Sequence, residues 1–261
     1  MHNSKRGLYS TSLFIFTLIF FYTPLLVLTF FSFNASKTMV WQGFSWQWYQ
    51  QLFLDSPNLW DAFSKSLIIA ISSATVSTII GTLGAIGLYW YSIKFKKTIN
   101  LIAFLPLLLP EIILGVSLLI FFAGIGLKLG LFTIFLAHTT FNIPYVFLII
   151  MSRLDEFDNS IIEAAHDLGA KELDVLFKII LPMCFPAIMA GFLISVTLSL
   201  EDFVITFFVA GPGATTLPLY IYSMIRFGVS PIINCLSVIL IVGSILLAIS
   251  TVKFYKYLFQ K

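Results

Sequence analysis

EAAHDLGAKELDVLFKIILP, residues Glu163–Pro182, is a polar stretch with helical patterning set between long apolar runs. Ile161, Ala165 and Leu168 recur at helical spacing. Ser160 followed three positions later by Glu163 reads as a capping box. Gly169 is placed to end this helix in a left-handed conformation, which a residue without Cβ adopts at little cost. A second helix is predicted from Lys171 to Ile180, where Leu173, Leu176, Phe177 and Ile180 keep the helical period. Pro182 and Pro186 limit it, because proline supplies no backbone N–H. The expected product is a helix, a turn and a second short helix, with Ala164 and Ala165 small enough for close approach. The pattern alone leaves two readings open: a helix pair lying in a membrane interface, or a knob that docks in a groove on a partner.

The flanking sequence sets the solvent. Of 261 residues, 59% are hydrophobic and only 10% charged, against about 25% charged in soluble domains. Six apolar runs are each long enough to cross a hydrocarbon layer about 30 Å thick: Leu8–Phe33, Phe63–Trp90, Ile99–Ala123, Leu131–Met151, Ala187–Ala210 and Ile232–Val252. The first is too long for a signal-peptide core and no A-x-A site follows it, so it is read as an uncleaved anchor. Gly81, Gly84 and Gly87 give the second run a small-residue face suited to close helix contact. Cys184 and Cys235 make neither a disulfide framework nor a structural zinc site.

Lysine and arginine orient the spans. With a cytoplasmic N-terminus, Lys5, Arg6, Lys94, Lys96, Lys97, Arg153, Lys171, Lys178, Lys253, Lys256 and Lys261 lie inside. Lys37, Lys65, Lys128 and Arg226 lie outside or at the outer boundary. Both termini are then cytoplasmic, and Glu163–Pro182 falls in the longest cytoplasmic loop. The loop Asn34–Asp61 is extracytoplasmic, and its WQGFSWQWYQ run suits an interfacial ledge.

Three acids fall inside apolar runs: Glu111, Glu201 and Asp202. Ionisable groups there are expensive and face a bundle interior or a watery cavity. Counted along straight helices, Glu111 and Glu201 sit at similar depths and are expected to line one cavity. Pro106 and Pro110 open the third span beside Glu111. The alternative for each acid is structural, an ion pair with Lys65, Arg226 or another subunit, or protonation by desolvation. His138 and Asn142 share a face of the fourth span and are read as helix-packing hydrogen bonders. Gly211-Pro212-Gly213 reads as a tight turn, and no phosphate-binding G-x-x-x-x-G-K-[ST] motif occurs in the chain.

The central stretch resembles the EAA loop of permease subunits in binding-protein-dependent ABC importers. That pattern is EAA, three residues, Gly, nine residues, Ile, one residue, Leu-Pro. Glu163-Ala164-Ala165, Gly169, Ile179 and Leu181-Pro182 match every position. WQGFSWQWY, LPLLLPEIILGVSLL and LEDFVITFFVAGPGATTLPLYIYSMIRFGVSP extend the likeness to the C-type subunits of spermidine/putrescine permeases. Glu201-Asp202 stands where related sequences carry two aspartates.

The resemblance implies an all-α integral membrane protein of the type I ABC importer permease fold, with six transmembrane helices and a cytoplasmic coupling-helix loop. The transmembrane domain would span 8–252 and contain the loop at 153–185, with tails at 1–7 and 253–261. It implies that Glu163, Ala164, Ala165, Gly169, Ile179, Leu181 and Pro182 couple to an ATPase, with Glu111, Glu201 and Asp202 as candidate substrate-path residues. The implied partners are a second permease subunit, two copies of the ATPase, a periplasmic polyamine-binding protein and the lipid bilayer of the bacterial inner membrane. No nucleic acid is involved. This chain would be no enzyme and bind no cofactor; ATP and Mg would serve the partner ATPase. Competing expectations are an importer of another cation or metal, a proton-coupled secondary transporter, and a non-transporting scaffold.

Overall fold

The computed structural model describes residues 3–38, 40–91, 94–158, 160–227 and 231–259, with side chains over 9–38, 40–91, 94–158, 160–226 and 231–246. Lys5, Arg6, Lys253, Lys256, Lys261 and the expected tails lie outside those side chains. The described secondary structure is helical apart from one isolated bridge between Asn34 and Phe44. The chain divides into two compact units, 1–58 with 221–261, and 59–220.

In the first unit, α1 (Asn3–Phe31) and α12 (Pro231–Phe259) pack together, and α2 (Gln47–Leu54) packs on α12. The loop between α1 and α2 is built on one buried side chain. Asn34 Nδ2 donates to the carbonyls of Thr38 (3.1 Å) and Val40 (2.9 Å), and Oδ1 accepts from the Gln42 N–H (2.9 Å). The Asn34 carbonyl accepts from the Trp48 indole at 2.8 Å. A buried amide this well matched makes a turn cheap, because none of its polar atoms is stranded. Trp48 is thereby drawn inward, while Trp41 and Trp46 face out.

The second unit holds α3 (Pro57–Trp90), α4 (Lys96–Leu108), α5 (Glu111–Gly124), α6 (Leu131–Asp155), α7 (Ser160–Asp167), α8 (Glu172–Val175), α9 (Leu181–Glu201) and α10 (Val204–Val209), and α11 (Leu217–Phe227) begins in it. The α6–α9 pair makes the broadest helix contact. Lipid provides little hydrophobic drive between helices, so small residues and polar pairs do the joining. Ser73 and Ser77 on α3, His138 and Asn142 on α6, and Ser195 and Ser199 on α9 are all buried. Asn142 Nδ2 donates to the Ser195 carbonyl at 3.3 Å, as its packing role requires. A Cβ on Gly81 would lie 2.8 Å from Val146 Cβ and 3.1 Å from the Ile143 carbonyl. A Cβ on Gly84 would meet Phe147 at an ordinary 3.8 Å, and one on Gly87 would meet nothing. Of the three spaced glycines, only Gly81 is required by contact.

Four, or five with one bent pair, of the expected six spans are recognisable among the described residues. Among the described residues, Tyr9–Phe31, Pro57–Trp90, Leu131–Asp155 and Glu172–Glu201 are long and apolar enough to cross a membrane. A fifth candidate, expected over Ile99–Ala123 with an opening at Pro106 and Pro110, is α4 and α5 bent by 107°. Pro110 causes the break: it pushes Leu109 into an extended conformation (φ −83°, ψ 137°) and starts the next helix. The described apolar stretch near the C-terminus, Pro231–Leu246, is shorter than a span. The expected Ala187–Ala210 is broken too. Its helix ends at Glu201, Asp202 is extended (ψ 118°), and α10 starts afresh.

The second short helix expected from Lys171 to Ile180 is not separate. α8 runs through a π-helical turn, Leu176–Ile180, into α9, so that Glu172–Glu201 is continuous. Pro182 explains both facts. It has no N–H to give, and its ring would crowd the carbonyl four residues back. The wider turn makes room, with the Leu181 N–H donating to Leu176.

A Gly81→Ala substitution is therefore expected to destabilise the protein by about 1–3 kcal/mol, the usual cost of overpacking, and Gly87→Ala to be neutral. Thermal melts in detergent check this. Equal melting points for the two variants would contradict the α3–α6 contact.

Candidate functional site

The two helix breaks meet at one cavity. It has a volume of about 430 Å³ and is lined by Pro106, Leu109, Glu111, Leu114, Phe141, Tyr145, Glu201, Asp202 and Phe203, among others. That volume is within the range of small-molecule sites. Glu111 opens the first turn of α5, where a carboxylate suits the positive end of the helix dipole. Glu201 closes α9. Both are exposed. The expected juxtaposition is present, although the 107° bend removes the straight-helix depths on which it was based. Close packing of α10 on α5 forms the adjoining wall: a Cβ on Gly115 would lie 2.8 Å from the Phe208 ring.

Asp202 behaves differently from its neighbour. Its side chain is 6% exposed. Oδ2 accepts from the Thr206 N–H (2.8 Å) and hydroxyl (2.7 Å), and Oδ1 accepts from the Ile205 N–H (3.3 Å). The carboxylate thus satisfies donors at the start of α10 that would otherwise be stranded. His138, 1% exposed, stands beside it, with Nε2 3.2 Å from Asp202 Oδ2 and 2.9 Å from Thr206 Oγ1. Nδ1 is 2.6 Å from the Ser199 hydroxyl. The Thr206 hydroxyl proton is already given to Asp202, so Nε2–H is the donor toward Thr206. A serine, histidine and aspartate in a row also make a hydrolytic relay. Here Ser199 is buried and accepts from Ser73 at 3.3 Å, which ties α9 to α3.

Sequence reasoning missed Phe141 and Tyr145 as cavity residues and the link from His138 to Asp202. Positions 138, 141 and 145 share a helical face, which was a legible signal. Lys65, weighed as a partner for the acids, instead pairs with Asp61 (2.5 Å) and donates to the Gly213 carbonyl (2.9 Å). Gly211–Ala214 is a tight turn, with an Ala214 N–H to Gly211 carbonyl bond of 3.0 Å and Gly213 at φ +77°.

The Glu163–Pro182 segment forms the second candidate site. Gly169 has φ +83°, as expected. The Ala170 N–H bonds the Ala165 carbonyl (3.0 Å) and the Gly169 N–H bonds that of His166 (2.9 Å), which is the Schellman closure of α7. The predicted capping box is replaced: Ser160 is the first helical residue, and its N–H donates to Asp158 Oδ1 at 3.0 Å. Asp158 follows the end of α6 closely enough to reach the new helix first.

The shared face of Ile161, Ala165 and Leu168 is not wholly buried. Ile162, Ala165, Val175 and Ile180 join Leu154 and Phe157 in one core, while Leu168 is 89% and Leu173 69% exposed. Glu163, Ala164, Gly169 and Pro182 are exposed, and Ile179 and Leu181 are half-buried. The Tyr91 hydroxyl donates to Glu172 Oε2 (2.7 Å) and ties the end of α3 to α8. That bond pushes the Tyr91 phenol above its ordinary pKa.

A family model described as "binding-protein-dependent transport system inner membrane component" matches residues 77–261. The chain belongs to that family of transport permeases. It is 43% identical over 231 residues, covering 88% of this chain and 90% of the relative, to the spermidine/putrescine transport system permease protein PotC of Haemophilus influenzae. It is 46% identical over 236 residues, 87% of this chain and 83% of the relative, to the putrescine transport system permease protein PotI of Escherichia coli K12. The fold is shared with a crystal structure of a bacterial ABC transporter involved in the import of the acidic polysaccharide alginate, at TM-score 0.74 and 16% identity over 97% of this chain and 98% of that one.

Asp158 supplies a pH test. The Ser160 hydroxyl and N–H hold its carboxyl below the ordinary carboxylate range. A depressed folded pKa adds stability that is present above the unfolded pKa of about 3.9. That stability is lost as pH falls through the folded value. Protection of the α7 amides, read by hydrogen exchange corrected for intrinsic rate, is expected to be flat from neutral pH to about 5 and to fall only in stronger acid. Asp158→Asn should already show the lower protection at neutral pH. Identical protection in both proteins would contradict the cap.

Proposed function

We propose that this chain is the permease subunit of an ATP-driven polyamine importer, and that cationic substrate passes the cavity between the two helix breaks. The observation that carries this reading is the convergence of Glu111 and Glu201 on one cavity walled by Phe141, Tyr145 and Phe203. Polyamines carry separated ammonium groups on an apolar chain. Carboxylates attract the charges, and aromatic faces add cation–π contacts without fixing the ligand rigidly. Relatives named for spermidine and putrescine support the cargo assignment.

The proposed assembly contains a second permease subunit, two ATPase subunits and a periplasmic binding protein. The subunit itself crosses the inner membrane six times, with α12 as the last span and both termini in the cytoplasm. The lysine and arginine distribution supports that orientation. Coupling falls to the Glu163–Pro182 segment. Ala165 anchors it to the core, while Glu163, Ala164, Leu168 and Leu173 are free to meet the ATPase. An apolar side chain as exposed as Leu168 beside a rigid turn has the form of an anchor for a partner's pocket.

Two outcomes are expected in proteoliposomes at matched amounts of complex. Glu111→Gln with Glu201→Gln, which removes charge and keeps size, should lower spermidine and putrescine uptake by about tenfold or more, the scale of losing charged hydrogen bonds. Normal kinetics would exclude the path assignment, and selective loss for another cation would reassign the cargo. Glu163→Arg and Leu168→Glu should leave insertion intact while abolishing substrate-stimulated ATP hydrolysis. Wild-type stimulation in an assembled complex would remove the coupling role.

A further inference from the structure

We propose that His138 is a positioning residue for transport: it staples the α9–α10 break and so aims Glu201 into the cavity. The inference rests on the path assigned above to Glu201. The two ring nitrogens of His138 reach opposite sides of the break. Nδ1 meets Ser199 in the last turn of α9 at 2.6 Å, and Nε2 meets Thr206 in α10 at 2.9 Å. Glu201 and Asp202 lie between those attachment points. A rigid ring that bridges residues 199 and 206 limits the backbone rotations by which the intervening peptide could turn. Asp202 completes the staple, since Nε2 is also 3.2 Å from its carboxylate while that carboxylate accepts from α10.

Packing alone does not call for this residue. Any side chain of similar volume would fill the space, but only one with a polar atom at each end joins the two helices. Leucine here would leave the Ser199 hydroxyl and the buried Asp202 carboxylate each short of a partner, a costly state for an ionised group. The adjacent acids then have separate duties. Asp202 is held inward and shapes the break, and Glu201, exposed to the cavity, meets the substrate. The charge pair that reads as one feature in sequence is one fastening and one contact.

The test is a double-mutant cycle in reconstituted complexes, reading polyamine uptake at matched complex levels for wild type, His138→Leu, Glu201→Gln and the combination. His138→Leu is expected to reduce uptake about tenfold alone but less than about twofold in the Glu201→Gln background, because residues acting through one another are non-additive. His138→Gln, which keeps a donor near Nε2, should recover most of the lost uptake. Equal fold-losses for His138→Leu in both backgrounds would overturn the positioning role and leave the path intact. Full uptake by Glu201→Gln alone would overturn the path itself, and with it this proposal. If His138→Leu fails to assemble, Thr206→Val enters the same cycle, since it removes the hydroxyl shared by His138 and Asp202 and keeps the shape.

Discussion

A helix that starts inside an apolar layer leaves N–H groups that no water can satisfy. In this protein the Asp202 carboxylate meets that demand, accepting from Ile205 and Thr206 at the start of α10. The rest of the central architecture depends on that satisfaction. Without an acceptor the chain would favour one uninterrupted helix from α9 through residue 209, and no recess would open beside Glu201. The other break is built more simply, by a proline that has no donor to strand and by the carboxylate of Glu111 at the mouth of α5. Two different solutions to one backbone constraint therefore bring two acidic side chains to a common space.

Much of this was legible beforehand, and the misses share a cause. The central motif, the left-handed Gly169 and the apolar runs follow from local pattern, which needs only neighbours along the chain. The turn at Gly211–Ala214 was equally local. Helix continuity was not. Pro182 and Pro186 read as stops, yet the helix passes Pro182 by widening one turn at Leu176–Ile180 and carries Pro186 within α9. Conversely Glu201-Asp202 read as two charges within a span, and the aspartate instead ends the helix, because a short carboxylate can replace carbonyl partners for the next turn. Whether a breaker bends, widens or ends a helix is decided by what packs beside it. Here α6 is packed there, and its His138 was legible as a helix-packing hydrogen bonder but without its partners across the break.

The Glu163–Pro182 segment shows the same limit at the level of faces. Period alone placed Ile161, Ala165 and Leu168 on one face without saying which way that face turns. Packing against Leu154 and Phe157 turns Ile162 and Ala165 inward and leaves Leu168 outward. Adjacent residues on a helix differ by a rotation of about 100°, enough to separate the exposed Ile161 from the buried Ile162. In the proposed function the outward Leu168 gives the segment its apolar tip.

The unbroken passage from Glu172 to Glu201 has a mechanical meaning. These 30 residues measure about 45 Å at 1.5 Å each, and the polar Glu163–Pro182 segment and the cavity acid stand at opposite ends of one helix. A pivot of about 5° about its middle would carry each end roughly 2 Å, in opposite directions. A flexible hinge at Pro182 would have absorbed such a stroke. The π-helical turn keeps the helix running past the proline, so under the proposed function a push at the polar end would reach Glu201 as displacement rather than being spent in bending.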